Sequence, residues 1–130
     1  MDNKKINYHL LIKIWFITMI ILVFLMIMVG GLTRLTESGL SITEWELFKG
    51  ILPPLSSETW TSYFNLYKEI PQFELVYPNM NMEEFKVIYY WEYFHRLLGR
   101  IIGLMFILPL IFFSITKVID NKMLIILYFI

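Results

Sequence analysis

The sequence has no cysteine and no alanine, only two histidines, and no excess of charge: eleven Lys and Arg balance eleven Asp and Glu. Without thiols there is no disulfide framework and no thiolate metal centre. Without a basic excess there is no electrostatic footprint for nucleic acid. Glycine and proline are scarce, at six and five residues. What is abundant is apolar. Hydrophobic residues make up 58% of the 130 positions and aromatics 18%, against about 45–50% apolar in ordinary soluble domains. That composition excludes a disordered chain. The length allows one soluble domain, but the placing of the apolar residues argues for a membrane protein.

Twenty residues without a charge lie between Lys13 and Arg34. As a helix rising ~1.5 Å per residue, they span about 30 Å, the hydrocarbon thickness of a bilayer. The run is longer than a signal-peptide core of ~7–15 residues, and no small-x-small cleavage pattern follows it. Trp15 at its start suits the headgroup level. A second uncharged run, Ile101 to Thr116, is slightly short. It reaches spanning length by starting near Val87, which brings Glu92, His95, Arg96 and Arg100 into the helix, with a kink expected at Pro109. A third apolar run opens at Met123, and the sequence stops within it at Ile130. Eight residues cannot cross a bilayer as a helix. The chain therefore reads as a fragment of a longer protein or the product of a broken reading frame.

The resulting organisation is an N-terminal tail (1–13), a first membrane helix (14–33), a loop with short helices (34–86), a second membrane helix (87–116), a turn (117–122) and the start of a third helix (123–130). The fold class is an all-α integral membrane protein with two complete spans. Lysines cluster in the tail and the turn, whereas the loop is acidic. The positive-inside rule then places tail and turn in the cytoplasm and the loop outside. In the loop, Ser56 or Ser57 can cap a helix carrying Trp60, Phe64 and Tyr67 at helical spacing until Pro71 stops it. Asn81 and Glu84 form a capping-box pattern at the next helix start. Trp45, Trp60, Phe64, Phe73 and Tyr77 suit a cap lying on the membrane surface.

The chemistry-bearing stretch is WEYFHRLLGRIIG, Trp91 to Gly103. Glu92, His95, Arg96, Gly99, Arg100 and Gly103 fall within about 140° of one helix face. A polar stripe in a membrane helix usually faces a bundle interior or a cavity. Two readings compete. The arginines can snorkel to the headgroups with Glu92 paired to Arg96 at i, i+4, and His95 can be a hydrogen-bonded core histidine. Alternatively, His95 is an axial ligand of haem iron, and Glu92 orients groups or handles protons beside it. His9, before the first helix, is expected to be solvated and a bilayer away from His95. A second stretch, GGLTRLTESGLSITEW (Gly30 to Trp45), gathers Thr33, Arg34, Thr36, Ser38 and Ser41. This set can bind an acid group through Arg34, or simply cap the helix end.

These two stretches, with GILPPLS (Gly50 to Ser56) between them, resemble the haem A synthase family, closest to its alphaproteobacterial and mitochondrial form. The resemblance covers nearly the whole chain and about the first third of the family's length. It implies an eight-helix membrane enzyme of two four-helix halves, which oxidises one methyl of haem O to a formyl group to give haem A for cytochrome oxidase. It implies haem O as substrate and haem b as cofactor, each between paired histidines. His95 matches the first of these histidines, on the substrate side. Glu92 matches the acidic residue thought to take part in the oxidation. Arg96 and Arg100 match basic positions near the haem; pairing of these and of Arg34 with haem acid groups follows from charge alone. Some members use a cysteine pair in the outer loop, and its absence here excludes thiol chemistry. Haem O synthase and cytochrome oxidase assembly factors are the implied protein partners. A bacterial plasma membrane is favoured over a mitochondrial inner membrane, because no Arg-rich leader is present. The partner histidine of the first half belongs to a fourth helix, so the 130 residues alone are expected to lack synthase activity. Conversion of haem O by membranes holding only this chain would refute that. The alternatives are a non-catalytic two-helix protein that binds haem or a partner through the stripe, and a piece of a transporter.

Overall fold

The two uncharged runs become the two long helices of the chain, which a computed structural model describes over residues 7–44 and 49–129. Lys4, Lys5, Trp45, Glu46 and Ile130 lie outside the described residues. Every regular element among those residues is helical: α1 (Tyr8–Leu35), a 3-10 turn (Lys49–Ile51), α2 (Ser57–Lys68), α3 (Pro71–Val76), α4 (Met82–Ile115) and α5 (Asn121–Tyr128). α1 and α4 are long and apolar enough to cross a membrane. At 28 and 34 residues they measure about 42 and 51 Å, more than the ~30 Å of hydrocarbon.

Local chemistry sets the ends. α1 begins at Tyr8, ahead of the uncharged run, because the Asn7 side chain accepts a hydrogen bond from the Leu10 amide at 3.2 Å. Ser56 caps α2, accepting from Thr59 N at 3.2 Å. Pro71 occupies the first turn of α3, where a missing N–H costs nothing; α2 has already ended at Lys68. At the start of α4 the capping box forms in full. Asn81 Oδ1 accepts from the Glu83 and Glu84 amides, and Glu84 accepts from the Asn81 amide at 2.9 Å. α1 and α4 both close with a residue in the left-handed region, Glu37 (φ 48°) and Lys117 (φ 51°). At each, paired reverse bonds satisfy the last carbonyls: Ser38 N to Thr33 O, and Val118 N to Phe113 O.

The described chain divides into two compact units. The first comprises Met26–Gly99. Its core is aromatic: Phe64, Tyr67, Phe85, Ile88, Tyr89 and Tyr93 are buried, and Trp60 and Phe73 pack against them. Trp60 meets the edge of Tyr89 at 4.9 Å, and Phe64 lies 5.0 Å from Phe85. A fully buried large apolar side chain is worth about 1.5–3 kcal/mol, whereas an exposed pair such as Lys86–Glu83 gives about 0–1. Aromatic burial therefore holds α2 and α3 to the first turns of α4. The Tyr67 hydroxyl is buried with no hydrogen-bond partner among the described residues. Burial, reinforced by Tyr77 and Glu37, pushes its pKa up from 10 to about 12.

The second unit comprises Met1–Leu25 with Arg100–Ile130. Trp15, Leu110, Phe113, Ile119 and Leu127 form its core. Trp15, at the start of the uncharged run, belongs to this core. Its ring is 5% exposed, packed near Phe106 and Phe113, and its indole N–H donates to the Met105 carbonyl at 2.8 Å. The cause is Pro109, which has no N–H to give the carbonyl four residues earlier. An unpaired carbonyl in an apolar setting costs several kcal/mol, so α4 continues through Pro109 with a donor borrowed from α1. α5 adds Leu127 to this core, and Tyr128 reaches the Ser114 hydroxyl at 3.0 Å.

Candidate functional site

Within the first unit, the C-terminal end of α1 and the middle of α4 border an open cavity of about 440 Å³. Gly30, Thr33 and Arg34 line it from α1, Glu37, Gly39 and Leu40 from the following loop, Gln72 from α3, and Glu92, His95 and Arg96 from α4. Four of the five candidate site residues, Arg34, Glu92, His95 and Arg96, thus share one cavity. Arg100 belongs to the second unit.

Glycine sets how closely α1 approaches. A Cβ built on Gly30 would stand 3.2 Å from His95 Nε2, and one on Gly99 would stand 3.5 Å from Met26 Cε. The first distance is tighter than ordinary packing allows, so a glycine at 30 is what lets the imidazole lie beside α1. Gly31, Gly39 and Gly103 meet nothing within 4 Å of such a Cβ. His95 is half-buried; His9 is exposed on the first turn of α1.

Glu92 is the most constrained charged residue of the site, only 3% exposed. Its Oε2 accepts from the Ser41 hydroxyl and from the Ile42 amide, both at 2.8 Å. Its Oε1 accepts from Arg96 Nε at 2.9 Å and also from Arg96 Nη2. Arg96 Nη2 donates in addition to the Ile42 carbonyl at 3.1 Å. The i, i+4 pair expected from the sequence therefore forms. It is turned to the loop after α1, and Arg96 keeps 26% of its side chain exposed, beside the cavity. Arg34 is exposed and makes no ion pair among the described residues.

The hydroxyls of the Gly30–Trp45 stretch go largely to the helix end. Thr33 donates to the Gly30 carbonyl at 2.8 Å, Thr36 to the Leu32 carbonyl at 2.8 Å, and Ser38 to the Thr33 carbonyl at 3.1 Å. Arg34, the charged member of that group, is exposed and lines the cavity. Sequence reasoning missed Gln72, Gly39 and Leu40 as lining residues. Gln72 reaches the site because its Nε2 donates to the Glu37 carbonyl at 2.5 Å, a contact across 35 positions that no local pattern announces. Ser41 and Ile42 were likewise not readable as partners of a residue some fifty positions on.

The arrangement offers one imidazole, two guanidiniums and a buried carboxylate. No cluster of three or more His, Asp or Glu able to hold a bare metal ion occurs among the described residues. An imidazole beside guanidiniums is a set that haem could meet, through its iron and its acid groups. The Gly30 cradle fits the same conclusion, because any side chain there would crowd the imidazole.

Residues 13–130 match the family described as cytochrome oxidase assembly protein. The chain is 55% identical to the heme A synthase of Pelagibacter ubique over 84% of its own length and 32% of that protein's. It is 51% identical to the heme A synthase of Parvibaculum lavamentivorans over 94% of the chain and 35% of the relative. With the heme A synthase of Nitrosomonas eutropha the figures are 48%, 92% and 34%. The chain thus spans about a third of the length of the curated relatives it matches. No solved structure matches it. The chain, about half identical to these relatives over most of its own length, belongs to the haem A synthase family.

Proposed function

We propose that the chain serves haem A synthesis, in which one ring methyl of haem O is oxidised to a formyl group. The observation that carries the reading is the cavity uniting His95, Arg34 and Arg96 in a member of this family. His95 would hold the iron of substrate haem O through an imidazole nitrogen. Arg34 and Arg96 would meet its acid groups. Arg96 already shares its charge with Glu92, so Arg34 is the more available cation. Arg100 would add positive charge to the same helix face. A haem b cofactor, when bound, supplies oxidising power at its iron; no residue of this chain is assigned to it. Glu92 is the residue whose loss stops the oxidation.

We also propose an orientation: tail and 117–122 turn in the cytoplasm, the α2–α3 cap outside, and a bacterial plasma membrane as the host. Lys13, Lys117 and Lys122 against the acid-rich 34–86 segment support it. Haem O synthase and cytochrome oxidase assembly factors are the expected neighbours.

The test is extraction and separation of haems from membranes of cells that make haem O and carry the protein with its natural flanking sequence. Haem A should accumulate with the unaltered protein and disappear with His95→Ala or Glu92→Ala. Haem A formed at the unaltered level by His95→Ala would overturn the reading. Haem O retained by the unaltered protein but never converted would favour the non-catalytic haem-binding alternative.

A further inference from the structure

Glu92 and Arg96 lie on the cavity wall, yet their hydrogen bonds are spent on the loop that follows α1. The pair holds the peptide groups on either side of Ile42: the carboxylate accepts its N–H, and the guanidinium donates to its carbonyl. Ser41 closes the same grip from the adjacent position, donating to Glu92 Oε2 and lying within 3.3 Å of the Ile88 carbonyl. Ser38, Ser41 and Glu92 are all at most 3% exposed. Gly39 and Leu40, between these anchors, form a wall of the cavity that also contains His95.

We propose that Glu92 is a positioning residue, and Ser41 with it: together with Arg96 they form a latch that fixes the Ser38–Ile42 loop as the wall of the His95 cavity. A buried carboxylate with four donors and a guanidinium at i+4 is costly to disturb, because removing one charge strands the other. The cap of α1 holds the Ser38 end of the wall and the latch holds the Ser41–Ile42 end; packing of Gly39 and Leu40 adds little, since neither is buried. Glu92 then acts on a bound ligand through the loop and through the placement of Arg96, not by contact with the reacting atoms. This rests on the haem reading for the identity of the ligand, but the latch itself does not.

The experiment uses the protein with its natural flanking sequence in detergent or bilayer discs, with hydrogen exchange of the 38–44 segment followed by mass spectrometry and, separately, titration with haem O; haem A is measured in membranes of cells that carry the same variants. Glu92→Gln should speed exchange of that segment at least about tenfold and weaken haem O binding about tenfold. Ser41→Ala should do both to a smaller degree, and Ser41→Thr, which keeps the hydroxyl, should restore exchange. The bound-haem absorption spectrum should keep its shape in all three, since His95 is untouched. In the Glu92→Gln, Ser41→Ala double variant, the effects on exchange should be less than additive. Unchanged exchange in Glu92→Gln overturns the latch. Unchanged exchange and haem binding with loss of haem A formation would make Glu92 a catalytic residue and overturn the positioning role. If the unaltered chain binds no haem O, the haem reading falls, and the exchange results still decide the latch.

Discussion

At the scale of single residues, the site depends on where side chains are missing as much as on where they are present. Gly30 lets the His95 imidazole lie where a Cβ would come within 3.2 Å. Gly30→Val should push the ring aside and weaken haem O binding by about tenfold or more, read by optical titration, because shifting a metal-binding imidazole costs about 10–100-fold. Tyr67 offers a different test. Its hydroxyl is buried without a partner among the described residues, and its pKa is pushed up to about 12. The neutral form is bound by the fold, and the unfolded chain ionises near 10. Stability from this group is therefore complete below pH 10 and is lost as pH rises to 12. Thermal unfolding of the unaltered chain should weaken across that window more than that of Tyr67→Phe. At neutral pH the variant should be as stable or more so, since it removes an unsatisfied buried polar atom. A large loss of stability at pH 7 in Tyr67→Phe would show that the hydroxyl has a partner after all.

At the scale of elements, helix type and caps were legible because their causes are local. The uncharged run gave α1, Ser56 gave the start of α2, and Asn81 with Glu84 gave the start of α4. What could not be read were the bonds between distant segments. Pro109 is visible in the sequence as a missing donor, but nothing local says that Trp15, ninety-four positions earlier, supplies it. Its position at the start of the run suggested a headgroup anchor, and gave no sign that the indole is buried in a core with Leu110 and Phe113. A double-mutant cycle tests the account. Trp15→Phe should cost about 1–3 kcal/mol, the penalty of an orphaned buried carbonyl. In a Pro109→Ala background, where residue 109 provides its own N–H, the same change should cost only the difference in packing. Equal costs in both backgrounds would mean the Trp15–Met105 bond carries no energy.

At the scale of the molecule, the stripe Glu92–His95–Arg96 was readable as one face because helical spacing dictates it. Its environment was not, because the cavity is bordered by a loop and by α3, which are held there through Ile42, Ser41 and Gln72. The proposed orientation can be checked without background labelling, since the sequence contains no cysteine. In intact cells, Glu58→Cys should react with a membrane-impermeant maleimide and Lys122→Cys should not; the reverse pattern would invert the topology. The central claim, that the cavity takes haem through His95, is tested most directly by titrating the purified chain with haem O and recording its absorption spectrum. The account predicts saturable binding with a histidine-ligated spectrum, lost in His95→Ala and kept in His9→Ala. The same spectrum and affinity in His95→Ala would contradict it.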